Sequence, residues 1–146
     1  MPSTSKICFF FHEIKASLAN RSILKKFILR LFREEGKKLE FVNYIFCTDA
    51  ILLDINRKYL KHDFYTDIIT FDLSEKKAIR AEIYISIERV RENAHKLGVS
   101  FKSEIHRVVF HGALHLCGYN DKTNIEVKKI RVKEDQYLNK YSYWLS

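Results

Sequence analysis

Proline and glycine are the scarcest punctuation in this chain, with one proline and four glycines in 146 residues. So few argue against a disordered or loop-dominated protein, and no internal repeat, linker or low-complexity segment breaks the sequence. Cysteine is scarce as well. Cys8, Cys47 and Cys117 are odd in number, widely separated and form no CxxC pair. That suggests neither a disulfide framework nor a cysteine zinc site, and it fits a reducing compartment. Long apolar runs are missing too: ICFFF, residues 7 to 11, is cut off by His12 and Glu13. The N-terminal stretch therefore reads as neither signal peptide nor membrane span, and a cytoplasmic protein without a membrane partner is expected. Acidic residues are the minority charge, 18 Asp and Glu against 26 Lys and Arg, for a net +8 and a pI near 9.4. Such a balance favours polyanionic partners such as RNA, although a merely soluble basic protein shows it too.

What is plentiful is apolar and aromatic. The chain is 47% hydrophobic with eleven Phe and eight Tyr, enough for one compact domain over residues 1–146 and too short for two. ICFFF reads as a buried strand. NRSILKKFILRLFREEG reads as a helix capped by Asn20, with apolar repeats at Ile23, Phe27 and Leu31 and a stop at Gly36. FVNYIFC, residues 41–47, is a second strand, and Thr48 is placed to cap a helix running through Asp54 and Tyr59. DIITFDL at 67–73 and AEIYIS at 81–86 are two further strands. Ser86 caps the helix IERVRENAHKLG, which ends at Gly98, and Ser100 opens a helix through Ile105, Val108, Val109 and Leu116 to Gly118. TNIE at 123–126 is a capping box, followed by Val127, Ile130, Glu134, Tyr137 and Leu138 at helical spacing. Four strands and five helices without strict βαβ alternation predict an α+β layer fold around a mixed sheet.

The segment HGALHLCGYND, residues 111–121, carries the chemistry. His111 and His115 are four apart, which on a helix sets both rings on one face, roughly 6 Å apart along the axis. One ion can take both nitrogens, Gly118 is placed to end the helix, and Asp121 is the nearest oxygen ligand after the turn. Three protein ligands with a water in the fourth position describe a catalytic metal site rather than a closed one. The same spacing also suits two ordinary surface or core histidines, and Cys117 reads as a small buried side chain. A metal-dependent protease of the HExxH kind needs a glutamate beside the first histidine, and position 112 is glycine.

HGALHLCGYND resembles the signature HGxLHLxGYDH of the YbeY family of metal-dependent endoribonucleases, matching at His111, Gly112, Leu114, His115, Leu116, Gly118 and Tyr119. Upstream, INRKYLKHDFYTDIITFDL is similar to the family's stretch with N, then Y-R, D and T-D-V-L-S-F, and AEIYIS resembles its GDIVIS strand. The resemblance implies a zincin-like α+β fold and one bound zinc ion or another divalent transition metal. It also implies cleavage of single-stranded RNA in ribosomal RNA maturation, at the 16S 3′ end, and in ribosome quality control. Its partners would be ribosomal RNA or the ribosomal subunit, with a ribosomal protein or a GTPase as protein partner. By position His111 and His115 take the first two metal ligands, and Asp121 stands where the family usually has a third histidine.

The family's Y-R dipeptide reads Tyr59-Leu60 here. The cation that would contact a phosphate is then to be supplied by Arg57, Lys58, Lys61 or His62. Asp63, Thr66, Asp67 and Thr70 match the family pattern without a role that residue chemistry alone assigns. No side chain is assigned as general acid or base, leaving the metal-bound water as the reacting group. Two rival readings remain: a basic, metal-stabilised RNA-binding or ribosome-assembly module with little catalysis of its own, and a structural zinc site completed by His95, His106 or Cys117.

Overall fold

In the computed structural model, which describes residues 6–146, the elements follow the predicted order. Residues 1–5, part of the N-terminal stretch read as neither leader nor span, lie outside the described residues. Strands β1 (Ile7–Phe11), β2 (Leu39–Cys47), β3 (Ile68–Asp72) and β4 (Ile79–Ser86) form one sheet in the order β1-β2-β4-β3. β1, β2 and β4 run parallel, and β3 pairs antiparallel along the edge of β4, with Ile68 opposite Ile85. Helices α1 (Arg21–Glu34), α2 (Asp49–Ile55), α3 (Ile87–Leu97), α4 (Phe101–Leu116) and α5 (Asn124–Leu145) complete the chain. Among the described residues no helix is long and apolar enough to cross a membrane.

Alternation in β4 explains how the sheet chooses its faces. Ile79, Ala81, Ile83 and Ile85 are buried in the main core, whereas Arg80, Glu82 and Tyr84 lie on the other side, half covered. That other side holds a smaller cluster of Cys47, Leu52 and Ile69 beneath Phe71 and Tyr84. The main core lies under α1, α4 and α5, where Phe27 of α1 meets Phe110, Tyr141 and Trp144 with ring centroids 5.2, 4.9 and 5.1 Å away. Truncating a ring so enclosed costs about 3–5 kcal/mol, so Phe27 is a principal tie between three helices.

α4 is the most enclosed helix. Ile105, Val108, Val109, Phe110, Ala113 and Leu114 are all buried, and the Tyr44 hydroxyl of β2 donates to the Val109 carbonyl at 3.0 Å. Burial pushes that phenol's pKa up, so it stays a donor. The C-terminal turns of α4 emerge at the end of the sheet where β4 finishes and β3 begins. This helix over a mixed sheet is consistent with the zincin-like expectation.

Caps fall where side-chain chemistry puts them. Thr48, Ser86 and Ser100 accept from the backbone N–H of Ile51, Arg89 and Ser103, and Thr123 with Glu126 closes a full capping box. Asn20 differs from its predicted role: it sits in the left-handed region (φ 58°) and its side chain caps nothing. Asparagine tolerates that backbone, and its carbonyl still accepts from Leu24 N–H at 2.9 Å. The helix expected through Tyr59 is α-helical only to Ile55, after which Asn56–Leu60 widen into a π turn ending at Lys61 (φ 55°). The cause is Asn56, buried at 1% exposure, whose amide donates to the Phe64 carbonyl at 2.9 Å and draws the chain back over itself.

Candidate metal and RNA site

His111 and His115 occupy the last two turns of α4, on one face as their spacing predicts, but their surroundings differ. His111 is three-quarters covered: Nδ1 lies 2.7 Å from Oε2 of Glu134, and Nε2 lies 3.3 Å from Oδ2 of Asp121. An ionised carboxylate only accepts, so Nδ1 carries the proton and donates to Glu134. Nε2 then points a lone pair at the Asp121 carboxylate, a repulsive arrangement that a proton or a metal ion resolves. Burial, the largest effect on the ring, pulls its pKa down; the hydrogen bond to Glu134 and the charges of Glu134, Asp121 and Asp67 outweigh it and leave the pKa raised.

His115 is exposed. Its Nδ1 lies 3.1 Å from the carbonyl of Tyr119, which can only accept, so Nδ1 is again the donor and Nε2 carries the ring's lone pair. Gly118 makes this possible: its φ of 104° turns the chain back so that the Tyr119 carbonyl meets the ring. The turn is anchored at Tyr119, whose hydroxyl donates to Glu35 Oε1 at 2.8 Å, while Glu35 also accepts from Tyr137 at 2.5 Å and pairs with Lys133 at 3.5 Å. Burial raises the Glu35 pKa most, yet these donors overcome it and hold the carboxyl below its ordinary value.

Both histidines therefore have Nδ1 committed to an oxygen acceptor and Nε2 available, the tautomer and second-sphere support that metal-ligating imidazoles use. With a carboxylate beside one of them, the donor set suits a zinc-like ion. The gathering is partial. His111 and Asp121 are brought together and share a cleft of about 330 Å³, which His115 does not line. Among the described residues no group of three or more His, Cys, Asp and Glu converges closely enough to hold an ion.

Glu134, Arg107, Arg131 and Asp67 line the same cleft, and residue chemistry alone gave none of them a part. Glu134 (4% side-chain exposure) is held by Arg107 Nη1 at 3.4 Å, and Arg107 Nη2 bonds to Glu104. Arg131 is half exposed, its Nε 3.9 Å from Glu134. Asp67 is raised above the ordinary aspartate pKa, chiefly by burial, with the His111 charge opposing. One signal for Glu134 was present: it falls on the apolar stripe of α5 with Ile130, Tyr137 and Tyr141, and a carboxylate at core spacing must have a partner.

The proposed phosphate-contacting cations are elsewhere. Arg57 is bonded to Asp63 at 2.5 Å and Lys58 to Asp54 at 3.1 Å, both exposed, and neither they nor Lys61 line the cleft. The cations that do are Arg107 and Arg131. Candidates for a fourth zinc ligand are not brought in either. His106 is buried against Phe110 and Tyr141, and Cys117 is a buried thiol pushed up to about 12 by burial and then by the Glu35 charge.

Gly112 has a physical reason. A Cβ there would lie 3.0 Å from Cδ1 of both Ile68 and Ile83. The position next to the first histidine is thus filled by the sheet, and the glutamate of an HExxH protease has nowhere to stand.

Comparison with known proteins gives the family and the fold. The family model described as Endoribonuclease YbeY matches residues 11–142. The chain is 45% identical over 134 residues to Endoribonuclease YbeY of Cytophaga hutchinsonii, covering 91% of this chain and 94% of that protein. To the protein of the same name from Flavobacterium psychrophilum it is 44% identical over 129 residues, covering 88% and 92%. The solution structure of TM1509 from Thermotoga maritima superposes with a TM-score of 0.66 at 26% identity, over 94% of this chain and 91% of that one.

Proposed function

The chain belongs to the YbeY family of endoribonucleases, and on that premise we propose that it is a metal-dependent enzyme cutting single-stranded RNA at the cleft beside α4. Its place is ribosomal RNA maturation, at the 16S 3′ end, and ribosome quality control, with the ribosomal subunit as partner and the cytoplasm as location. The observation that carries the site is the paired environment of His111, with Nδ1 on Glu134 and Nε2 facing Asp121.

In this reading His111 Nε2, His115 Nε2 and Asp121 are the ligands of one zinc or similar divalent ion. When bound, that ion supplies Lewis-acid polarisation of the scissile phosphate. The chain's own residues do the rest. Glu134 fixes the His111 tautomer and orientation, and Arg107 holds Glu134 in place and offsets its charge. Arg131, exposed and only loosely paired, is the cation positioned to meet a non-bridging phosphate oxygen. Asp67, a carboxyl with raised pKa on the cleft wall, is the group suited to take or return a proton at its Oδ atoms. A phosphodiester brings its own oxygens and RNA its 2′-hydroxyl, so fewer protein acid-base groups are needed than for a peptide.

The test incubates purified protein with single-stranded ribosomal RNA fragments, with and without chelator, beside His111→Ala and Asp121→Ala. Chelator-sensitive cleavage that both variants lose is expected. Equal cleavage by wild type and variants overturns the reading. The alternative, a metal-stabilised RNA-binding module, draws on Leu60 standing in the family arginine's place, and it predicts tight RNA binding without cleavage.

A further inference from the structure

The π turn and the loop that follows it display aromatic rings that the core does not use. Tyr59, Phe64 and Tyr65 are 69%, 55% and 55% exposed, although the fold elsewhere buries rings as large as Phe27, Phe110 and Tyr141. Apolar surface left in water is a cost to folding, so three rings exposed within seven residues mark a surface rather than scattered accident.

The rings are held rather than loose. Asn56 pins the loop at its base through the Phe64 carbonyl, His62 N–H returns to the Asn56 carbonyl at 3.1 Å, and Arg57 bonds across to Asp63. Tyr59 stands edge-on to Phe71 with centroids 6.0 Å apart. The His62 ring stacks on Phe64 at 5.1 Å, and the Arg89 guanidinium covers Tyr65 at 4.9 Å, itself tied to Asp49. Each ring is braced by a neighbour and still more than half open, so little ordering remains to be done when a flat ligand arrives.

Charge alone does not make this loop an anion patch. Arg57 is neutralised by Asp63 and Lys58 by Asp54, which demotes two of the cations singled out in the sequence. What the loop offers is ring faces, and it offers them next to the cleft, because the chain passes from Tyr65 directly into Thr66 and Asp67 of the cleft wall. Unpaired bases are the ligand chemistry that matches: every base has a π face, stacking on aromatics is tolerant of sequence, and only single strands expose those faces.

We propose that Tyr59, Phe64 and Tyr65 form a stacking platform for the bases of single-stranded RNA flanking the scissile phosphate. This rests on the endoribonuclease reading above. The platform sets affinity and the preference for single over double strands, and it leaves the chemistry at His111 untouched.

The experiment measures fluorescence anisotropy of a labelled 12-nucleotide single-stranded RNA, in chelator to stop cleavage, with wild type and with Tyr59→Ala, Phe64→Ala and Tyr65→Ala. An abasic strand of equal length serves as second probe, and steady-state cleavage is measured with metal restored. Each alanine is expected to weaken binding of the intact RNA by about 5- to 150-fold. The abasic strand should bind weakly and equally to all four proteins, KM should rise with little change in kcat, and Phe64→Trp should restore affinity. Thermal unfolding of each variant tells lost folding from lost stacking. Variants that bind and cleave like a cleaving wild type overturn the platform alone, and so does an equal loss for the abasic strand. A wild type that cleaves no RNA overturns the endoribonuclease reading and the platform with it.

Discussion

His106 makes a prediction about pH that can be worked to a magnitude. Its ring is buried on α4, 4.9 Å edge-on from Tyr141 and stacked at 6.3 Å on Phe110. Burial first, and the Lys102 charge second, push its pKa down from 6.5 to about 4. The fold therefore accommodates the neutral ring. The unfolded chain takes up its proton near 6.5 and the folded chain only near 4, so the unfolded state binds more protons throughout that interval. Stability from this group is complete above the upper value, falls as the pH drops through the interval, and levels off below the lower one. At 1.36 kcal/mol per unit, a shift of that size amounts to about 3 kcal/mol, a large share of a typical 5–15 kcal/mol total. The assay is urea unfolding at pH 7.5, 5.5 and 4 for wild type and His106→Gln, which titrates nowhere in this range. The variant should start less stable, for lost packing, and lose less as the pH falls, so that the difference narrows by about 3 kcal/mol. Parallel curves would refute the assignment. Since His106 and His111 share a helix, loss of activity in acid should track this unfolding, a point circular dichroism at the same pH values decides.

Three further expectations concern the site. Glu134→Gln, which keeps the shape but removes the charge behind His111, should weaken zinc affinity by about 10- to 100-fold in a competition with a chromophoric chelator. Arg131→Gln should lower kcat/KM on RNA by about 10- to 100-fold, the worth of one charge-assisted hydrogen bond, with metal content and melting temperature unchanged, whereas Arg57→Gln leaves kcat intact. Gly112→Glu should lose roughly 3 kcal/mol or more through overpacking and a buried charge against Ile68 and Ile83, seen as insoluble expression or a collapsed melting temperature.

Elements were legible where the signal was local. Thr48, Ser86, Ser100 and the Thr123–Glu126 box start their helices by side chain to backbone bonds a few residues long, and sequence spacing contains all of that information. The break after Ile55 was not legible, because it follows from Asn56 bonding to Phe64 across a turn whose path had to be known first. The site divided the same way. His111 and His115 share a face because they share a helix, and Asp121 reaches His111 because Gly118 turns the chain. Glu134 and Arg131 reach the cleft only through the packing of α5 on α4, and Asp67 through the pairing of β3 with β4. These are contacts between elements, and no spacing encodes them.

Gly112 joins the fold to the chemistry. A helix brought so close to a sheet that Ile68 and Ile83 would meet a Cβ at 3.0 Å delivers its next-door histidine to the start of β3, which Asp67 immediately precedes, at a depth a larger residue would prevent. The close approach that excludes a protease's glutamate is therefore the same approach that puts His111 between Asp67, Asp121 and Glu134. Two carboxylates against the His111 ring, with Asp67 on the same cleft wall, gather negative charge in an otherwise basic chain, which opposes the approach of a phosphate. Arg107 is already committed to Glu104 and Glu134, so on the proposed reading the positive charge that admits a phosphate comes from Arg131 and from the divalent ion that His111, His115 and Asp121 would hold. A site so built should bind RNA at its phosphate only in the metal-loaded state, while the aromatic loop, whose rings need no counter-charge, should hold bases with or without it.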